Sequence, residues 1–156
     1  MKKRSFRIYL ILTLFWTAGI FLPSAMPAAA SNAESGGVLA VVQMILPWIT
    51  HGVLRKAAHF SEYGLLGVEF SLLLGLQYDK NGKNLQHGRN LLDFPLIGML
   101  CAVTDETIQI FSGRGSLVSD VWIDTAGFST GFFLTVLLFL FINHCKKSRV
   151  TGNRKG

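Results

Sequence analysis

Two long runs without a charged residue constrain the fold of this chain more than any other feature. The first extends from Ile8 to Ala33 and the second from Thr125 to Cys145. Each can cross the hydrocarbon core of a bilayer, which takes about 20 residues of helix. Half of the 156 residues are hydrophobic and only 15% are charged, a composition too apolar for an ordinary soluble domain. We therefore expect a small integral membrane protein.

Two further apolar runs, Ala57 to Tyr78 and Phe94 to Phe111, are also long enough to span, although each contains two carboxylates. With these runs we expect one all-α domain, an integral membrane four-helix bundle. The four spans are predicted at residues 8–28, 57–78, 92–111 and 122–144.

The segments outside the spans are short. The apolar stretch from Val38 to Ile49 cannot cross a membrane, and it predicts a short helix in the interface between the first two spans. Residues 146–156 are polar and basic and are expected to form a flexible tail. The N-terminal basic residues, the apolar run and the small residues after it also fit a secretory signal peptide, whose cleavage would leave three spans.

The basic residues are distributed unevenly between the connections. Of the 15 Lys and Arg residues, 12 precede the first span, lie between the second and third, or follow the fourth; the others are Arg55, Lys56 and Arg114. This asymmetry predicts a multi-pass protein with both termini in the cytoplasm. The net charge of +6 is thus explained as a topology signal, and no nucleic-acid partner is expected.

Ionisable side chains within the second and third spans fall on defined helix faces. Asp105 and Glu106 each lie within one turn of Gln109 in the third span. In the second span, separations of four, three and seven residues place four side chains on one stripe: Arg55, His59, Glu62 and Glu69. Such a stripe cannot face lipid, because ionisable groups at this depth cost several kcal/mol to insert.

The fourth span combines acids with a packing motif. Asp120, Asp124, Gly127 and Gly131 follow separations of four, three and four residues. Gly127 and Gly131 form a small-xxx-small pair that favours close helix packing. The acids and the packing face therefore point into the bundle together.

The rise per residue along a helix sets the depth of each side chain, and it places most of these ionisable groups in one layer of the outer half of the membrane. We expect a polar cavity there, open to the external side. The alternative is that the polar groups only hold the helices together by hydrogen bonds and ion pairs. Glu69 is separate, since it lies near the bilayer centre.

The motifs "RKAAHFSEYGLLG" and "TDETIQIFSGRGSLVSDVWIDTAGFSTG" together resemble those of the VanZ-like family of small bacterial membrane proteins, from the first span to about Leu140. The resemblance favours a retained first span and implies a bacterial cell membrane location. The family's founding member is associated with low-level resistance to teicoplanin, a lipoglycopeptide, and no catalytic mechanism comes with the family. The resemblance implies that its motif positions are Arg55, Lys56, His59, Glu62, Tyr63, Asp105, Glu106, Gln109, Arg114, Asp120 and Asp124.

Three functions fit these observations. The favoured one is binding of a membrane lipid or lipid-tailed amphiphile, with its head group at Arg55, Lys56 and Arg114. An enzyme acting on an envelope lipid is an alternative, in which the histidine and acids act as acid and base or bind a divalent cation. A proton-coupled transporter using Glu62 and Glu69 is another, and its small size would require a homo-oligomer. No cofactor or metal is expected for the favoured function.

Overall fold

The computed structural model describes residues 2–81 and 88–152, and these residues contain helices and no strand. The helices are α1 (Lys2–Ser24), α2 (Ala28–Gln43), α3 (His51–Asn81), α4 (Gly88–Phe111) and α5 (Val118–Gly152). The all-α prediction is confirmed for this part of the chain. Residues 82–87 and 153–156, which include the end of the predicted tail, lie outside the described residues.

The break between α1 and α2 lies earlier than we expected. The first span was predicted to continue to residue 28, but α1 ends at Ser24, and Pro27 precedes the first residue of α2. Proline disfavours the helical conformation in the residue before it, so Met26 cannot continue α1. The interfacial helix was expected within residues 38–49, whereas α2 occupies Ala28–Gln43. Three alanines at its start favour this earlier helix.

The last helix is longer than we expected. α5 continues to Gly152, through a segment predicted to be a flexible tail from residue 146. Lysine and arginine are good helix formers, and their charge is favourable at the carboxyl end of a helix. With 35 residues, α5 is about 52 Å long, well beyond the roughly 30 Å of a hydrocarbon core.

Among the described residues, three helical segments are long and apolar enough to cross a membrane. They are Ser5–Ser24, Asp93–Phe111 and Val118–Cys145. α3, with 31 residues, is also long enough, but its ionisable side chains make it less apolar. The membrane-protein prediction is therefore supported by three helices, and the crossing of α3 stays a prediction.

α3 and α5 pack at the centre of the molecule through glycines. A Cβ at Gly131 would collide with the carbonyl oxygen of Gly64, and one at Gly127 with that of Phe60. A Cβ at Gly67 would collide in turn with the backbone of Phe128. The two helix backbones therefore touch, which only glycine allows. We call these four glycines (64, 67, 127 and 131) the glycine seam.

Aromatic side chains fill the space beside the glycine seam. Phe128 and Phe132 of α5 are fully buried. The Phe132 ring lies 4.9 Å from that of Phe94 in α4, and the Phe128 ring lies 5.9 Å from that of Phe70 in α3. Gly98 makes room for the Phe128 ring, since a Cβ there would collide with it. These contacts hold α4 against the α3–α5 pair.

Candidate functional site

Two residues of the polar stripe on α3, Arg55 and His59, contact α4 or α5. His59 is 8% exposed, and its Nδ1 lies 3.2 Å from Oδ1 of Asp124 in α5. This pair does not have hydrogen-bond geometry, and both atoms lack a hydrogen-bond partner. The glycine seam positions this pair. His59 directly precedes Phe60, whose carbonyl oxygen lies against Gly127, and Asp124 lies one helical turn before Gly127.

Gln109 of α4 connects the acids to the stripe on α3. Its Nε2 donates to Oδ2 of Asp105 and to Oε1 of Glu106, both at 3.2 Å. Its Oε1 accepts a 2.8 Å hydrogen bond from Nη2 of Arg55. Gln109 and Asp105 are fully buried, and Glu106 is nearly so. One amide therefore orients two carboxylates and one guanidinium group.

Arg55 also joins α3 to the start of α5. Its Nη2 lies 3.5 Å from Oδ2 of Asp120 and donates to the carbonyl oxygen of Gly115 at 3.3 Å. Asp120 is buried, whereas about a quarter of the Arg55 side chain is exposed. Nε of Arg55 is buried, and the described residues offer it no hydrogen-bond partner. This donor is therefore unsatisfied within the described part of the chain.

The connection between α4 and α5 closes over the site. The backbone N–H of Leu117 donates to Oε2 of Glu106 at 3.0 Å. Ser112 donates through its hydroxyl to the carbonyl oxygen of Ser24, and Nη1 of Arg114 donates to that of Pro23. The last turn of α1 is therefore attached to this connection. Gly113, with a φ of 72°, permits the turn.

Four buried side chains group their donor atoms closely enough to hold one metal ion. Their ligand atoms all lie within 4.8 Å of one another. We call this group the acid–histidine cluster; its members are His59, Asp105, Glu106 and Asp124. Within the described part of the chain, several of these atoms lack hydrogen-bond partners: one oxygen of Asp105, both oxygens of Asp124 and Nδ1 of His59. The group thus combines negative charge with free lone pairs in a buried place.

A cavity of about 270 Å³ lies between α1, α2 and α3, next to the acid–histidine cluster. His59 lines both. The lining residues are Gly19, Ile20, Pro23, Ser24, Val38, His51, Leu54, Arg55, Ala58, His59, Glu62 and Arg114. The cavity therefore has apolar and charged walls.

The two arginines give the cavity a cationic side. Burial lowers the pKa of Arg114, and the positive charge of Arg55 lowers it further, although the acids Asp105, Glu106 and Glu62 act in the opposite direction. The two guanidinium groups therefore repel each other beside this cavity. An anion placed between them would relieve that repulsion.

Three of the residues singled out from the sequence stand apart from these contacts. Lys56 is exposed and does not line the cavity. Tyr63 is fully buried, and its hydroxyl lacks a hydrogen-bond partner. Glu69 lies further along α3, with one buried carboxylate oxygen that also lacks a partner. Glu69 is thus outside the acid–histidine cluster.

Sequence reasoning missed the contribution of α1 to the site. Trp16 donates through Nε1 to the carbonyl oxygen of Glu62 at 3.0 Å. Pro23 and Ser24 supply the carbonyls that Arg114 and Ser112 bind. Because the acceptors are backbone carbonyls, the partner residues carry no sequence signal. Trp16 itself, a lone donor-bearing aromatic in an apolar run, was a signal that we did not use.

Comparison with known proteins gives one match. A family model described as VanZ/LLP1 matches residues 8–140, most of the chain. The matched range includes the acid–histidine cluster, the glycine seam and the residues that line the cavity. No curated protein and no solved structure matches the chain.

Proposed function

Since the chain belongs to the VanZ/LLP1 family, we propose that it is a bacterial envelope protein that binds the anionic head group of a membrane lipid or lipid-tailed amphiphile. The observation that carries the proposal is Arg55, which lines the cavity and whose buried Nε has no hydrogen-bond partner among the described residues. Buried donors are normally paired, and a guanidinium group suits phosphate or carboxylate. A head group at Arg55 and Arg114 would supply the acceptors.

The other walls of the cavity suit the start of an acyl chain. Ile20 of α1, Val38 of α2 and Leu54 of α3 provide apolar surface opposite the charged side. The volume of about 270 Å³ is near the lower limit of ligand pockets, about 300 Å³. It is enough for a head group and the first part of a chain. A whole lipoglycopeptide would have to lie mostly outside it.

The proposed topology has four spans, with both termini in the cytoplasm and the cavity in the outer half of the membrane. The distribution of lysine and arginine supports this orientation. At that depth the cavity would meet lipids and lipid-tailed drugs of the outer leaflet. In the cell, we propose that such binding gives low-level protection against teicoplanin-type drugs.

Direct lipid binding tests the proposal. Protein purified in a neutral detergent is titrated with phosphatidylglycerol or phosphatidylcholine, and bound lipid is counted by native mass spectrometry. We expect preference for the anionic lipid, and at least a roughly fivefold loss in Arg114→Gln. Lys56→Gln is the matched control, since it removes the same charge from an exposed position outside the cavity. Equal binding of both lipids by the wild-type protein would contradict the proposal.

Drug susceptibility tests whether this binding protects the cell. A sensitive Gram-positive host expresses the wild-type protein, Arg114→Gln or Lys56→Gln at matched membrane levels. We expect protection against teicoplanin but not against vancomycin, which lacks the lipid tail, and loss of protection only in Arg114→Gln. Equal protection against both drugs would show that the lipid tail is not recognised.

Catalysis on an envelope lipid is a second candidate function, favoured by the place of His59. This side chain lines the cavity and belongs to the acid–histidine cluster. A lipid head group in the cavity would therefore meet a group able to transfer protons. Incubation with phosphatidylglycerol, followed by mass spectrometry of the lipid, separates the two functions: an enzyme changes the lipid, whereas a binding protein returns it intact.

A further inference from the structure

The acid–histidine cluster has a feature that ordinary helix-to-helix hydrogen bonding does not explain. Asp124 is fully buried, and among the described residues neither of its carboxylate oxygens has a hydrogen-bond partner. Oδ1 of Asp105, also fully buried, lacks one too. A buried carboxylate without a donor is costly, because desolvation is not offset. A cation bound at this position would offset that cost.

The hydrogen bonds of the two arginines go to other groups. Nη2 of Arg55 contacts Gln109, Gly115 and Asp120, and Nη1 of Arg114 donates to the carbonyl oxygen of Pro23. Gln109 donates only one bond to each of Asp105 and Glu106. Nδ1 of His59 is near Asp124 but without hydrogen-bond geometry.

We propose that the acid–histidine cluster binds one divalent transition-metal ion, such as Zn²⁺, through His59, Asp105, Glu106 and Asp124. In the tetrahedral coordination typical of Zn²⁺, ligand atoms about 2.1 Å from the ion are about 3.4 Å apart. The ligand atoms of the cluster lie within 4.8 Å of one another. Side-chain movements of about 1 Å or less therefore complete the coordination.

The donor set selects the type of ion. Three carboxylates alone would suit Mg²⁺ or Ca²⁺, whereas an imidazole nitrogen favours Zn²⁺ and its transition-metal neighbours. With a neutral His59, the three carboxylates carry three negative charges, which a divalent ion reduces to one. Gln109 holds Asp105 and Glu106 side by side, so two ligands are oriented before the ion arrives.

The ion would connect three helices at one point. His59 is in α3, Asp105 and Glu106 are in α4, and Asp124 is in α5. Occupancy should therefore raise the thermal stability of the whole bundle. This inference does not depend on which amphiphile occupies the cavity, because its measurements are metal content and unfolding temperature.

The test uses full-length protein without a histidine tag, in detergent. After incubation with ZnCl₂ and desalting, zinc is measured by mass spectrometry, and unfolding is followed with and without EDTA. We expect about one zinc per chain in the wild-type protein, and an unfolding temperature that EDTA lowers. Asp124→Asn should lose at least tenfold in zinc content at a limiting zinc concentration. Glu69→Gln, the same type of change in α3 outside the cluster, should keep its zinc.

A purely structural role of Asp124 gives a different pattern. If Asp124 only held helices together, Asp124→Asn would unfold at a lower temperature with EDTA and without it. For a metal site, Asp124→Asn should match or exceed the wild-type unfolding temperature in EDTA, because one buried charge is gone, and should be less stable only with zinc. If Asp124→Asn does not fold, Asp105→Asn is measured instead. This variant keeps a side-chain oxygen that can accept the hydrogen bond from Gln109.

Two results would overturn the inference. One is a wild-type protein with less than about a tenth of a zinc per chain and no response to EDTA. The other is equal zinc content in wild-type protein, Asp124→Asn and Asp105→Asn, which would place the bound ion elsewhere. Neither result affects the lipid-binding measurement, so failure of the metal site and failure of the proposed function are distinguishable.

Discussion

Replacement of Gly131 by alanine tests the contact between α3 and α5 most directly. The added Cβ would lie 2.8 Å from the carbonyl carbon of Gly64 and still closer to its oxygen. Ordinary contact begins at 3.4 Å, so the two backbones must separate by at least about 0.6 Å, an overpacking that cannot be relieved by rotating a side chain.

The expected cost of Gly131→Ala is at the upper end of that for overpacked cores, about 3 kcal/mol. For a chain of this size, such a loss corresponds to a fall of roughly 10 °C in unfolding temperature. Tryptophan fluorescence of the detergent-purified protein during heating measures it. The His59–Asp124 contact should also be disturbed, since Asp124 lies seven residues before Gly131 in α5.

Gly64→Ala is the matched control on the opposite side of the same contact. A Cβ at Gly64 would lie 3.6 Å from the carbonyl oxygen of Gly127, an ordinary distance. We therefore expect Gly64→Ala to unfold close to the wild-type temperature. If Gly131→Ala does not accumulate in the membrane whereas Gly64→Ala does, the asymmetry still holds. Equal unfolding temperatures for the two variants would refute the backbone-contact argument.

Three further substitutions test the contacts around the site. Trp16→Phe removes the hydrogen bond to the carbonyl of Glu62 and should cost about 1 kcal/mol, visible as a lower unfolding temperature in a heating experiment. Gln109→Leu leaves two carboxylates without their donor and should cost at least about 2 kcal/mol in the same experiment. Arg55→Lys cannot keep a planar fork of donors, so phosphatidylglycerol binding should fall several-fold in the titration described above.

The all-α architecture could be predicted because apolar runs and their lengths are properties of the chain itself. The end of α1 could not be located by hydropathy, since residues on both sides of Pro27 are apolar; the proline is the physical cause of the break. The end of α5 was predicted too early because its last residues are not apolar. Its last residues are polar and basic, yet they continue the helix to Gly152.

The candidate site could be predicted only within each helix. Residue spacing tells which side chains share a face, as for His59 on α3 and Asp124 on α5. It does not tell how far one helix is displaced along its neighbour, and the pairs between helices depend on that displacement. The link from Arg55 through Gln109 to two acids is an example. It required the packed structure.

The glycine seam also determines which part of the molecule can move. Sliding α3 along α5 would drive a backbone carbonyl across Gly127 or Gly131, so the glycine seam resists relative sliding within this two-helix body. α1 is attached to that body by fewer links, among them the Trp16 hydrogen bond and the Pro23 carbonyl. We therefore expect any widening of the cavity to come from α1 and α2, which pack less extensively against α3 than α5 does.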